Sequence, residues 1–455
     1  MKNGKRSSFS GKLGYVLAAA GASVGLGNIW RFPYLAAKYG GGIFLIIYIV
    51  LALTFGYTMI VAETAIGRMT RKSPVGAFKS FGKKKWLSFG GWINAVIPVL
   101  IVPYYSVIGG WVIKYLVEYF RGNAKLLAED GYFTDFISNG VSTELCFVAF
   151  CAFTLIIIFA GVQNGIERVS KIMMPILIVL SVIIAVYSVT RPGALAGVKY
   201  FLVPNVKNFS WMTVVAAMGQ MFYSLSIAMG ILITFGSYMK KDTAIEDSTR
   251  NVEIFDTGIA IMAGLMIIPA VFAFSGGDPD TLQAGPSLMF ITIPKVFQNM
   301  GFGTVIGIVF FVLVLFAAVT SSIALTESAV STFEDELGWG RKKATVLVGV
   351  IMLVLGSLSS LGYGPLAGIK IIGMQFLDLF DFLTNSVMMP IAALLTSLLV
   401  SRVVGIDKIE EEIIHGESAF RRKKVFVVMI KYFCPVFAII ILLSSVANAL
   451  GWIKM

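Results

Sequence analysis

Apolar runs of about 20 residues recur along the whole chain, and this limits the fold more than any single motif does. They lie near 43–62, 88–113, 143–162, 172–190, 211–235, 257–274, 303–325, 344–358, 386–400 and 425–450. An opening apolar segment brings the expectation to 11 membrane spans. None alternates in the short pattern of a membrane β-barrel. Only 14% of the 455 residues are charged and 57% are hydrophobic, whereas a soluble domain carries roughly 25% charged residues. The expected class is an all-α polytopic membrane protein with a single transmembrane domain over residues 1–455. The opening "MKNGKRSSFSGKLGYVLAAAG" reads as the first span and not as a cleaved leader, because no polar sequence follows it.

The formal charge of +12 reports topology first. Lys and Arg collect in alternate connections: the N-terminal tail, 68–85, 168–171, 240–250, 341–343 and 402–424. The positive-inside bias then predicts a cytoplasmic N-terminus, and an odd number of spans puts the tail "GWIKM" outside. No soluble domain is left to carry nucleic-acid binding. Cys146, Cys151 and Cys434 lie in apolar helix sequence and offer neither a disulfide framework nor a zinc site. The single histidine, His415, lies in a charged loop. With no nucleophile–base pair or metal-ligand cluster, the chain does not read as an enzyme.

Two spans are written against helical rules. The first is interrupted at "GASVGLG" (21–27) and the sixth at "SLSIAMG" (224–230), with five spans from one to the other. Interrupted spans at corresponding positions of two halves point to an inverted-repeat transporter. The repeats would cover about 10–190 and 208–400, with an added helix at about 425–450. Unwound backbone at membrane depth is tolerated only where it lines a cavity or is buried in protein. Freed amides at a half-helix N-terminus favour an anion and freed carbonyls a cation. A zwitterionic amino acid with Na⁺ would use both. Glu63, Asp256 and the hydroxyls of "TSSIAL" (320–325) add polar groups at membrane depth, where ionisable residues are functional candidates. Close helix packing alone would also account for Gly21 and Gly25 as a small-xxx-small pair.

"GLGNIWRFPY" (25–34) resembles the signature of the neurotransmitter:sodium symporter family. "GGGIFLIIY" (40–48), "YYSVIGGW" (104–111), "GQMFYSLS" (219–226) and "TSSIAL" followed by "FEDELG" (333–338) extend the similarity over nearly the whole chain. The resemblance implies a LeuT-like 5+5 inverted repeat. It further implies a sodium-coupled importer of neutral hydrophobic or aromatic L-amino acids in a bacterial cell membrane, working by alternating access without an organic cofactor. A channel or amino-acid sensor on the same scaffold is the alternative; oligomeric state is left open.

By position, the amides of Leu26 and Gly27 would receive the substrate carboxylate together with the Tyr105 hydroxyl. The side-chain pocket would be lined by Ala22, Ile101, Tyr105, Tyr223, Ser226, Met229 and Leu325, with Ala228, where relatives often have glycine, reducing its room. It holds no charge to pair with an acidic or basic side chain. Sodium site one would use Ser23, Asn28, Ser224 and Asp256, with the substrate carboxylate completing the shell. Sodium site two would use Gly21, Val24, Ala317, Thr320 and Ser321. Asp256 stands where relatives commonly have asparagine, and its fixed negative charge implies chloride independence. An outer gate would pair Arg31 with Asp378 or Asp381 under a Tyr223 lid. An inner gate would pair Arg6 with Asp335 near Phe9 and Tyr238. Gly165 and Pro175 carry the Gly-x9-Pro spacing that lets relatives unwind the inner end of the fifth span.

Overall fold

The computed structural model describes residues 6–276 and 285–449. The expected outward tail at 451–455 lies outside them, as does the middle of the 275–298 connection. Among the described residues there is no strand; pairing between extended segments is limited to the bridges Gly41–Pro204 and Ile371–Met374.

The opening span is two helices, α1 (Lys12–Ser23) and α2 (Gly27–Lys38), bent by 54° at the glycine-rich break. It is followed by α3 (Gly42–Thr70), α4 (Lys85–Phe120), α5 (Gly140–Phe159) and α6 (Val162–Val189). The sixth span is also two pieces, α7 (Trp211–Ser224) and α8 (Ile231–Tyr238). Then come α9 (Ile245–Ser275), α10 (Gly303–Leu337), α11 (Arg341–Leu361), α12 (Phe376–Val404) and α13 (Lys423–Asn448). Nine of these helices are individually long and apolar enough to cross a membrane, and the α1–α2 pair makes a tenth. A count of 11 follows when α7 and α8 are taken as one broken span.

Local chemistry explains both breaks. At Val24 ψ turns to 89°, so the helical ladder of α1 stops there, and α2 restarts with a π-helical turn over Gly27–Arg31. Helix α7 begins at a capping box between Ser210 and Thr213. It ends where Ser226, Ala228 and Gly230 take φ of 53°, 59° and 69°. Left-handed backbone at two residues with a Cβ is costly and persists only where surrounding contacts hold it. One such contact is the fully buried Glu63 of α3, whose Oε1 accepts from the Ala228 amide at 2.8 Å.

Several helices outrun their apolar windows. Helix α9 starts at Ile245 and not near 257, and α10 continues to Leu337. The extra turns carry Glu246, Asp247, Glu253, Glu327 and Asp335, which hydropathy reads as loop. Each of them meets a protein partner: Glu246 meets Tyr57, Asp247 meets Lys12, Glu253 meets Arg422, Glu327 meets Arg341 and Asp335 meets Arg6. The central helices are α4 and α10, with 78% and 72% of their apolar windows buried, against 33% for the peripheral α13.

Candidate functional site

Both breaks face one narrow cavity of about 30 Å³. All nine residues expected to bind substrate line it: Ala22, Leu26, Gly27, Ile101, Tyr105, Tyr223, Ser226, Met229 and Leu325. The Leu26 amide already points at the Tyr105 hydroxyl, 3.2 Å away. Gly27 lies so close to Tyr223 that an added methyl would be 2.5 Å from its ring. Ser226 donates to the Ala22 carbonyl at 2.9 Å, tying the two breaks together. Ala228 is not among the residues that line the cavity, and its amide is turned toward Glu63.

Beside this cavity lies Asp256, fully buried on α9. Its Oδ1 accepts from Asn28 and Ser224, both at 2.8 Å, and its Oδ2 accepts from Tyr48 at 2.9 Å. Among the described residues no Lys or Arg lies within ion-pair distance of it. A buried carboxylate with only neutral donors is poorly compensated. With Asn28, Ser224 and Ser23 at the same cavity, the oxygen donors suit a hard monovalent cation. Tyr48 did not figure among the expected site residues, although it closes the quoted "GGGIFLIIY". Gln220, from "GQMFYSLS", was also missed; its Nε2 donates to the Gly27 carbonyl at 3.1 Å.

A second oxygen cluster surrounds Ser321 on α10. Its hydroxyl lies 3.2, 3.1 and 3.4 Å from the carbonyls of Gly21, Ala22 and Val24. Thr320 bonds the Ala317 carbonyl at 3.2 Å. A methyl on Gly21 would meet Thr320 at 3.1 Å and the Met174 sulfur at 3.5 Å. The five residues expected at sodium site two are thus together, and Met174 brings α6 against them one residue before Pro175.

The residues expected at the inner gate lie together. Arg6 pairs with Asp335 at 2.6 Å and bonds Ser237 and Ser331. Its guanidinium lies 5.0 Å over the Tyr238 ring, and the Phe9 amide donates to the Tyr238 carbonyl. Tyr238 in turn donates to Glu327, which Arg341 holds at 2.6 Å. The expected outer-gate pair from Arg31 is made with neither acid. Arg31 lies 5.3 Å over Tyr223 instead. Asp381 accepts from Tyr104 at 3.2 Å and Asn385 at 2.6 Å, while Asp378 accepts from Tyr363. Helix α6 is wound throughout, with Gly165 in its opening π turn and Pro175 inside it. A methyl on Gly165 would sit 2.1 Å from the Ile157 carbonyl oxygen, so Pro175 is the cleaner position at which to test unwinding.

Residues 6–127 and 134–452 match the sodium:neurotransmitter symporter family. The chain belongs to that family. This sodium symporter is 35% identical over 422 residues to the uncharacterised sodium-dependent transporter YhdH of Bacillus subtilis, covering 92% of this chain and 93% of YhdH. It is 31% identical over 460 residues to an uncharacterised sodium-dependent transporter of Haemophilus influenzae, covering 97% and 99%. The structure of MhsT in complex with L-phenylalanine superimposes with a TM-score of 0.86 at 35% identity, over 97% of this chain and all of that one. The symporter therefore has the LeuT fold and is a multi-pass membrane transporter that uses Na⁺.

Proposed function

We propose that this symporter carries a neutral, hydrophobic or aromatic L-amino acid inward with Na⁺ and without chloride. The observation that carries the reading is a cavity where the Leu26 half-helix amide meets Tyr105, with the buried Asp256, held only by neutral donors, beside it. The Leu26 and Gly27 amides with the Tyr105 hydroxyl suit a carboxylate, and the carbonyl ends of the breaks suit an ammonium group and cations. The cavity lining carries no charged side chain, so a substrate with an ionised side chain would be buried unpaired. The likeness to MhsT, solved with L-phenylalanine, supports the same substrate class.

In this reading Asp256, Asn28, Ser224 and Ser23 hold one Na⁺, and Gly21, Val24, Ala317, Thr320 and Ser321 hold a second. The substrate carboxylate completes the first shell, so each ligand raises the affinity for the other. Asp256 supplies the fixed negative charge that would make chloride unnecessary. Its protonation after Na⁺ leaves would return a proton outward; identical uptake at clamped internal pH of about 6 and 8 would count against this step. Arg6 and Asp335 close the inner side, and Arg31 over Tyr223 closes the outer side. The halves at about 10–190 and 208–400 are the inverted repeats, the N-terminus is cytoplasmic, and the membrane is a bacterial inner membrane. Binding of each of the twenty amino acids, with Na⁺ and with K⁺ in its place, tests the reading. Neutral hydrophobic ligands should bind only with Na⁺; a preference for charged ligands would overturn it.

A further inference from the structure

The connection between α12 and α13 does more than join two helices. Residues Ile406–Ile414 form a short helix, and the chain then crosses the inner ends of α3 and α9 before entering α13. Several sets of contacts fasten it there. Arg68, fully buried at the end of α3, bonds the Glu412 carboxylate at 2.7 Å, the Glu412 carbonyl and the Thr243 carbonyl. Lys241, in the α8–α9 turn, reaches the same carboxylate at 2.7 Å. Glu417 accepts from the Glu246 and Asp247 amides at 2.5 and 3.3 Å, satisfying the first turn of α9. Glu246 answers in the opposite direction. Its two oxygens accept from the Arg421 and Arg422 amides, each at 2.8 Å, and Oε1 also accepts from Tyr57 of α3 at 2.9 Å. Gly416 is pressed so tightly on the turn that a methyl would lie 2.7 Å from the Thr243 carbonyl oxygen.

The last contact leads toward the ion site. Arg422 lies 4.4 Å over the Tyr57 ring and pairs with Glu253 at 3.3 Å. Glu253 is buried on α9, three residues before Asp256 and thus on a neighbouring part of the same helical surface. At the Asp256 level α9 is already bonded to α2, α3 and α7 through Asn28, Tyr48 and Ser224. Helices α3 and α9 are therefore tied to one another at two depths. Among the described residues no such ties reach α10 from this connection. The inner contacts of α10 include the Arg6–Asp335 pair, the Tyr238–Glu327 bond and two to the segment just after α3, from the Ser73 amide to Asp335 at 2.6 Å and from Lys79 to Glu336 at 2.7 Å.

We propose that residues 406–422 are a clasp that fixes the inner ends of α3 and α9 and the α8–α9 turn as one body, so that occupation of Asp256 is transmitted to the inner gate. The contacts to α10 are then the ones that break when the inner side opens, and the clasp stays shut. Arg68, Glu412, Glu417, Arg422 and Glu253 are positioning residues in this sense. The inference rests on the sodium-coupled reading given above.

The test uses the full chain in nanodiscs, with Cys146, Cys151 and Cys434 replaced by alanine and a reporter thiol at Phe9→Cys. Phe9 is buried against Tyr238 at the inner face. In the parent, Na⁺ should slow thiol labelling about fivefold relative to K⁺. In Glu417→Gln and Arg422→Gln the Na⁺ effect should fall below about twofold, while Na⁺-dependent phenylalanine binding stays within about twofold of the parent. Arg422→Lys, which keeps the charge, should restore the Na⁺ effect. Clasp variants that respond to Na⁺ like the parent overturn the clasp alone. Variants that lose phenylalanine binding along with the Na⁺ effect also overturn it, because the residues then merely hold the fold. A parent whose labelling ignores Na⁺ and that binds no phenylalanine overturns the transport reading, and the clasp with it.

Discussion

The contact between Gly27 and Tyr223 gives a sharp test of how the first break closes over a ligand. A methyl at position 27 would lie 2.5 and 2.6 Å from two ring carbons of Tyr223. Ordinary carbon–carbon contacts sit at about 3.5–4.0 Å, so the ring must retreat by about 1 Å or swing away. Gly27 has an ordinary backbone conformation, so the penalty of Gly27→Ala is one of packing and not of φ. Overpacking of this kind costs about 1–3 kcal/mol, which corresponds to about 5- to 160-fold in affinity. The ring is the neighbour that clashes, so the penalty should vanish once the ring is gone. The assay is Na⁺-dependent phenylalanine binding to the parent, Gly27→Ala, Tyr223→Ala and the double variant. A coupling of about 1–3 kcal/mol is expected, with Gly27→Ala nearly silent in the Tyr223→Ala background. Equal losses in the two backgrounds would refute a lid that closes on Gly27, and would point to the Gly27 amide itself as the damaged element.

Asp256→Asn keeps the volume but removes the buried charge, so the Na⁺ concentration for half-maximal phenylalanine binding should rise about tenfold or more. The same variant should begin to respond to chloride; indifference to both ions would count against a cation at this carboxylate. Arg6→Ala removes the 2.6 Å pair with Asp335 and the bonds to Ser237 and Ser331. It should speed labelling of a Thr234→Cys thiol from the inner side, and an unchanged rate would argue against an inner gate here. Pro175→Ala restores a backbone donor in α6 next to Met174. Uptake should slow at saturating substrate while binding is kept, and unaltered Na⁺ release would exclude unwinding of α6 as the exit step.

Much of this architecture was legible in the sequence because the bilayer leaves few choices. Apolar length located the spans, and glycine with serine at mid-depth located both breaks. Boundaries were less legible: hydropathy stopped α9 near 257, since it treats Glu246 and Glu253 as solvated. In the structure both are helical and paired within the protein. Of the site, the groups at the breaks could be named because their chemistry conflicts with lipid. Tyr48 and Gln220 could not be distinguished from packing residues, since only the fold brings them to Asp256 and Gly27. The partner of Arg31 was not legible either. Charge alone favours an acid, but Asp381 is already bonded to Tyr104 and Asn385, and the guanidinium faces an aromatic ring. The clasp lay hidden in a charged connection whose sequence resembles any solvated loop.

Concentrative uptake tests sodium coupling most directly. Proteoliposomes holding the purified symporter would be loaded with K⁺ and diluted into Na⁺ gluconate containing labelled phenylalanine, with chloride absent on both sides. Internal phenylalanine should rise above the external concentration and collapse when the Na⁺ gradient is dissipated, and Asp256→Asn should abolish the accumulation under these conditions. Uptake that only equilibrates, proceeds equally in K⁺, or requires chloride would contradict a chloride-independent sodium symporter built around Asp256.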